Sequence, residues 1–159
     1  MIKSYQVNAI GQVKHIKNKN VIELDRNFVS GLTQIEGFSH LQIIWWAHLT
    51  DNTHNRENLI AEKLFKKAPD KIGIFGTRAP ARPNPIMIST ISVEKIDIEK
   101  GIIYTPFIDA EPGTPILDIK PYFPLERVKI INVPEWFKHW PEWFEDAMSF
   151  NWHKEINFD

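Results

Sequence analysis

Two stretches of the chain carry polar side chains on backbone that proline has stiffened. The first is Gly76-Thr77-Arg78-Ala79-Pro80-Ala81-Arg82-Pro83-Asn84-Pro85-Ile86. Each proline fixes its own φ and biases the residue before it away from helix, so the directions of Arg78, Arg82 and Asn84 are largely set. Pro80, Pro83 and Pro85 also lack the N–H that a sheet interior demands, which makes this an ordered loop. The second stretch runs from Asp109 to Tyr122 through Ala110, Glu111, Pro112, Gly113, Thr114, Pro115, Ile116, Leu117, Asp118, Ile119, Lys120 and Pro121. It reads as another proline-braced loop, and it carries three acids. Rigid loops with polar tips are where binding groups usually sit. The same composition also suits two stiff connectors joined by ion pairs such as Arg82 to Asp118.

Other chemistries find little support. No Gly-rich phosphate loop and no Gly-x-Ser-x-Gly elbow occurs. There is no cysteine, which removes disulfides, thiolate nucleophiles and Cys-type zinc sites. The histidines, at 15, 40, 48, 54, 139 and 153, show no i, i+4 pair, and no metal site is expected.

The elements that must position these loops read as short strands. Residues 5–13 and 20–24 are rich in β-branched side chains, and residues 37–49 hold the apolar run Leu41-Gln42-Ile43-Ile44-Trp45-Trp46 of a buried central strand. Residues 58–67 fit neither the helical nor the strand period. Residues 71–77 predict a short strand. Residues 86–97 and 102–108 predict two more, joined by the turn Glu99-Lys100-Gly101. Many strands and few helices predict a mainly β domain over residues 1–130, a barrel or a sandwich.

Residues 131–159 differ. Pro134-Glu135-Trp136-Phe137 recurs as Pro141-Glu142-Trp143-Phe144. Proline suits the first turn of a helix, and glutamate suits the positive end of its dipole. Trp136, Phe137, Trp140, Trp143, Phe144, Ala147 and Met148 recur at helical spacing. A short helical, Trp-rich tail is expected, packed on the β domain or on a partner subunit.

Net charge is −1 over 159 residues, 43% of them hydrophobic, so the chain as a whole is not an obvious polyanion binder. Residues 1–85 nevertheless carry 12 Lys/Arg against 7 Asp/Glu, and the remainder carries 7 against 13. Such a dipolar surface can steer a polyanion to one side. With no long apolar run and no signal core at the start, no membrane partner is expected, and the cytoplasm is the expected location.

Three stretches together resemble one known family, the TsaA-like or TrmO S-adenosylmethionine-dependent methyltransferases. They are Ile35-Glu36-Gly37-Phe38-Ser39-His40-Leu41 leading to Ala47-His48-Leu49; the Arg-Pro-Asn-Pro-Ile core of the first loop; and Gly113-Thr114-Pro115-Ile116-Leu117-Asp118-Ile119-Lys120-Pro121-Tyr122. Ala9-Ile10-Gly11-Gln12-Val13 also fits, and the resemblance covers residues 5–127. It departs from the family pattern at Met87 and Pro112, and in lacking a Pro-Arg-Gln element near the start.

The resemblance implies a compact β-barrel, a homodimer, and S-adenosylmethionine as cofactor. It puts cofactor contacts at His48, Leu49, Arg78, Ile88, Ile108, Asp109, Ala110 and Glu111. It implies methylation of N6 of threonylcarbamoyl-adenosine beside the tRNA anticodon. In that reaction Asn84 would accept an N–H of the acceptor, Arg82 and Lys120 would meet substrate phosphate or carboxylate, Asp118 would orient Arg82 or take a proton, and Tyr122 would stack on the base. A small-molecule acceptor, or S-adenosylmethionine binding without catalysis, are the alternatives the sequence leaves open.

Overall fold

The computed structural model describes residues 3–17 and 19–157. Residues 1, 2, 18, 158 and 159, which include the outer ends of the two expected units, lie outside the described residues. Among the described residues nine strands form: β1 Gly11–Ile16, β2 Lys19–Leu24, β3 His40–Trp46, β4 Ile60–Glu62, β5 Lys71–Gly73, β6 Ile86–Ser92, β7 Lys95–Asp97, β8 Ile102–Thr105 and β9 Pro115–Pro121. A short α-helix, α1, spans Thr53–Glu57. Several expectations need trimming. The first strand starts at Gly11, not at residue 5. The strand expected over 71–77 ends at Gly73 and gives way to the 3₁₀ turn Ile74–Gly76. The strand expected over 86–97 breaks at Val93 and Glu94.

The larger correction concerns the second loop. Residues 115–121 are not a loop but β9, which pairs with β3 on one side and β1 on the other. Its prolines stand at its two ends, where the missing N–H costs least.

Seven strands form one antiparallel sheet in the order β6-β3-β9-β1-β2-β8-β7, and β4 and β5 form a separate ribbon. The edge strands β6 and β7 are consecutive in the chain, joined only through Val93 and Glu94. The Val93 N–H donates to the Ser39 carbonyl at 2.9 Å, and the Glu94 N–H donates to the Tyr104 carbonyl at 2.9 Å. The sheet therefore curls until its edges meet at this corner, without a ladder between them among the described residues. One face of the curled sheet supplies the core: Val13, Ile22, Leu24, Leu41, Ile43, Trp45, Ile91, Ile103 and Ile116 are all buried in one cluster. Burying a side chain of this size contributes about 1.5–3 kcal/mol, so this cluster is the main source of stability.

The helical segments of the tail are short 3₁₀ helices, at Glu135–Phe137, Phe144–Met148 and Trp152–Lys154. The seven-residue repeat places a proline too often for a longer helix, and Trp143 and Met148 stay exposed. The tail packs on its own chain. The Phe65 ring stacks on Trp136 at 5.7 Å and meets Phe137 and Trp140 edge-on, while Phe144 meets His40 edge-on at 5.3 Å. Beside this cluster the buried Glu155 carboxylate contacts His139 Nε2 at 2.7 Å and accepts from Lys67 Nζ at 3.0 Å.

His139, and after it Lys67, hold the Glu155 carboxyl below its ordinary range despite burial. A carboxyl depressed by folding stabilises the fold above its unfolded pKa of about 4.3, and that stabilisation is lost as pH falls through the lower folded value. Glu155→Gln should therefore lower the melting temperature at pH 6 and flatten the loss of stability on acidification below about pH 4.3, as read by thermal melts across pH.

Candidate functional site

Where β3 leaves the sheet, the chain turns over the end of the core. The Ala47 N–H donates to the Pro85 carbonyl at 2.8 Å, which ties this exit to the proline-rich loop. A 3₁₀ turn at His48–Thr50 follows. Opposite it, residues 109–114 are docked on β1: the Gly113 N–H donates to the Val13 carbonyl at 2.8 Å, and the Val13 N–H donates to the Thr114 carbonyl at 2.9 Å. Between these segments lies an open cleft of about 160 Å³, bounded by Trp45, Ala47, His48, Leu49, Thr50, Pro80, Asp109, Ala110, Glu111 and Thr114.

The lining is apolar on the sheet side and acidic on the loop side. The Trp45 indole N–H is already used, donating to Ser89 Oγ at 2.9 Å. His48 differs: its Nδ1 is buried and has no hydrogen-bond partner. A buried polar atom left unpaired costs about 1–3 kcal/mol, so His48, a residue of the cleft wall, carries an unmet hydrogen bond. A ligand with cationic and hydroxyl groups, a donor or acceptor for the imidazole and an apolar body fits this donor set. S-adenosylmethionine has those features.

Of the expected cofactor residues, His48, Leu49, Asp109, Ala110 and Glu111 meet at the cleft. Ile108 lies beneath it in the core. Arg78 is exposed on the proline-rich loop, and Ile88 is on the outer face of β6, paired with Ile44. The expected catalytic residues are spread further. Arg82 braces its own loop through long contacts to the Thr77 and Ile74 carbonyls, at 3.4 and 3.5 Å. Asn84 is exposed at the loop tip, and its carbonyl accepts from the Ile86 N–H at 2.7 Å. Asp118 pairs with Lys120 at 2.6 Å, which replaces the ion pair envisaged with Arg82. Both lie on the outer face of β9, opposite Ile44 and Gln42. Tyr122 lies edge-on to His40 at 6.5 Å.

Sequence reasoning did not single out Trp45, Thr50, Pro80 or Thr114 as lining residues. Pro80 and Thr114 belonged to the stretches already marked. Trp45 ends an apolar run and carries no separate signal.

The sequence pattern of the tRNA-methyltransferase O N-terminal domain family matches residues 8–126. A probable S-adenosyl-L-methionine-binding protein of Pyrococcus abyssi is 38% identical over 106 residues, which is 67% of this chain and 53% of that protein. A tRNA (adenine(37)-N6)-methyltransferase of Mus musculus is 35% identical over 104 residues, 65% of this chain and 22% of that protein. The chain thus spans about half the length of the first relative and far less of the second. A crystal structure of TrmO superposes with a TM-score of 0.63 at 26% identity, covering 83% of this chain and 62% of that one.

Proposed function

The chain belongs to the tRNA-methyltransferase O N-terminal domain family, and on that premise we propose that it is an S-adenosylmethionine-dependent methyltransferase acting on N6 of threonylcarbamoyl-adenosine beside the tRNA anticodon. The observation that carries this reading is convergence at one cleft. His48 and Leu49, from the exit of β3, face Asp109, Ala110 and Glu111, from the entry to β9, with an unpartnered imidazole nitrogen in the wall.

S-adenosylmethionine, when bound, supplies a methyl group on a positively charged sulfur. The chain's own residues bind, orient and exclude water. Trp45, Ala47 and Pro80 form the dry side of the cleft. Asp109 and Glu111 take amine or hydroxyl groups, and His48 Nδ1 gains the partner it lacks. Arg78, which makes no ion pair among the described residues, takes a carboxylate. Ile108 fixes the floor by packing into the core, and Ile88 adds apolar surface on the outer face of β6.

An adenine N6 is a weak nucleophile because its lone pair is delocalised, so an acceptor for its N–H helps as charge develops. Asn84 supplies that acceptor. It stands one residue before the Pro85 carbonyl that holds Ala47. Arg82 and Lys120 meet substrate phosphate or carboxylate, Asp118 orients Lys120, and Tyr122 stacks on a base. Residues 1–130 form the methyl-transfer unit in this reading, and residues 131–159 brace it. The protein works in the cytoplasm as a homodimer. Support for the dimer comes from the apolar side chains left on the surface after β9, where Leu125 is 82% and Ile130 84% exposed. No helix among the described residues is long and apolar enough to cross a membrane.

A thermal-shift titration with S-adenosylmethionine, its demethylated product, ATP and NAD tests the cofactor. At about 100 times Kd the native state gains about 2.7 kcal/mol, or about 5–11 °C, with the first two ligands only. Methylation of tRNA lacking the modification then tests the acceptor. Asn84→Ala should lower turnover about tenfold or more and leave S-adenosylmethionine affinity nearly unchanged; equal losses in both would remove Asn84 from the chemistry. A small-molecule acceptor is favoured instead by the tail, which carries six Asp/Glu against two Lys and brings Phe144 to His40 near Tyr122. Salt-dependent tRNA binding separates the two acceptors.

A further inference from the structure

His48, Leu49 and Thr50 line the cleft from a turn that has no hydrophobic anchor of its own. Neither this three-residue turn nor the five-residue helix α1 after it buries a single residue. Elements this short do not hold themselves together in water. Their shape comes from polar ties. Thr50 N–H and Oγ1 both donate to the Ala47 carbonyl at 3.1 Å, and Asn55 Nδ2 donates to the Thr50 carbonyl at 2.7 Å. The Asn52 side chain caps α1 by accepting from the Asn55 N–H at 2.9 Å.

These ties are internal to the segment. A side-chain link from the segment back to β3 runs through Asp51. Its Oδ2 accepts from the Trp46 indole N–H at 2.9 Å, and Trp46 is the last residue of β3. The Arg56 fork closes the other side, with Nε to Oδ1 at 2.5 Å and Nη2 to Oδ2 at 3.0 Å. The Arg56 guanidinium also lies over the Trp46 ring, 5.5 Å from its centroid. One carboxylate thus joins the end of the sheet to α1 and encloses the His48–Thr50 turn between them. Both of its oxygens accept within the clamp, one contact on Oδ1 and two on Oδ2. Planar two-point pairing of this kind fixes orientation in a way that a lysine would not.

We propose that Asp51, clamped between Trp46 and Arg56, is a positioning residue that holds His48 in register with the acidic loop across the cleft, and so sets affinity for S-adenosylmethionine. This rests on the S-adenosylmethionine reading above.

The test compares Asp51→Asn, Arg56→Lys and Trp46→Phe with Asp97→Asn. Asp97 accepts from Lys100 in the turn between β7 and β8, a half-buried carboxylate that does not line the cleft. Calorimetric titration with S-adenosylmethionine gives Kd, and the imidazole NMR resonances of His48 report its setting in the free protein. The expected result is a Kd raised about tenfold in each of the three clamp variants, as for small misplacements of a binding group. The His48 resonances move in those variants, and Asp97→Asn leaves both readouts unchanged. Arg56→Lys and Trp46→Phe keep the test decisive should Asp51→Asn fail to fold. If the wild type binds and the clamp variants bind equally well, the positioning role is overturned and the functional reading stands. If the wild type does not bind, the functional reading falls and the positioning role falls with it.

Discussion

His48→Phe is expected to weaken S-adenosylmethionine binding by about tenfold to a hundredfold while leaving the free protein as stable as before, or more so. The two halves of this result have one cause. His48 Nδ1 is buried with no partner, so the free protein carries the penalty of an unmet polar atom whichever tautomer is present. A phenyl ring of similar shape removes that penalty in the free state. It also removes the hydrogen bond that a ligand would complete, worth about 1.5–3 kcal/mol when the partner is charged. Titration calorimetry and apo melting temperatures measured together check the prediction. A fall in both would show that His48 is braced by contacts in the free protein and is not held in reserve for a ligand.

The largest effect on folding is expected at Gly11. This residue opens β1 opposite Leu24 and also faces Ile116 of β9. A Cβ here would run into the Glu23 carbonyl oxygen and lie 2.8 Å from Leu24 Cα. Both obstacles are backbone, so no rotamer change relieves them, and β1 must move away from β2. Gly11→Ala should cost about 3 kcal/mol or more, a large share of the about 5–15 kcal/mol typical of a domain. Gly73→Ala is the control. It meets nothing within 4 Å and its φ of −56° suits any residue. Urea midpoints at unchanged m-value read the difference.

How far the sequence reveals this molecule depends on how regular each element is. β3 is plain because Leu41, Ile43 and Trp45 alternate with outward residues over seven positions. β9 is hidden for a physical reason. Its ladder with β3 shifts between Ile44 and Trp45, so Ile116 and Ile119 both face inward though they are three apart. That irregularity erases the two-residue period, and Pro115 and Pro121 at the ends complete the disguise. The tail is legible in part. Its aromatic spacing suggests helix, yet Trp136, Phe137 and Trp140 gather around Phe65 in 3₁₀ turns. The cleft is legible only through family resemblance, since nothing in composition links His48 to Asp109. Asp51 escapes notice altogether, because its importance lies in joining Trp46 to Arg56, a relation that only the folded chain displays.

The place of β9 in the sheet order also governs how the protein comes into being. Without β9, the sheet falls into two pieces with no ladder between them, β6 with β3 and β1 with β2, β8 and β7. The strand that unites them is the last of the nine to leave the ribosome. A chain ending before residue 115 therefore lacks the strand that joins these two pieces by ladders. Its partners β1 and β3 lie far back along the chain, so joining is a slow, non-local step. The loop that leads into β9 carries Asp109, Ala110 and Glu111, so the acidic side of the cleft arrives with the strand that closes the sheet. Closing the sheet and closing the cleft are thus coupled, so a ligand of the cleft would favour the closed sheet.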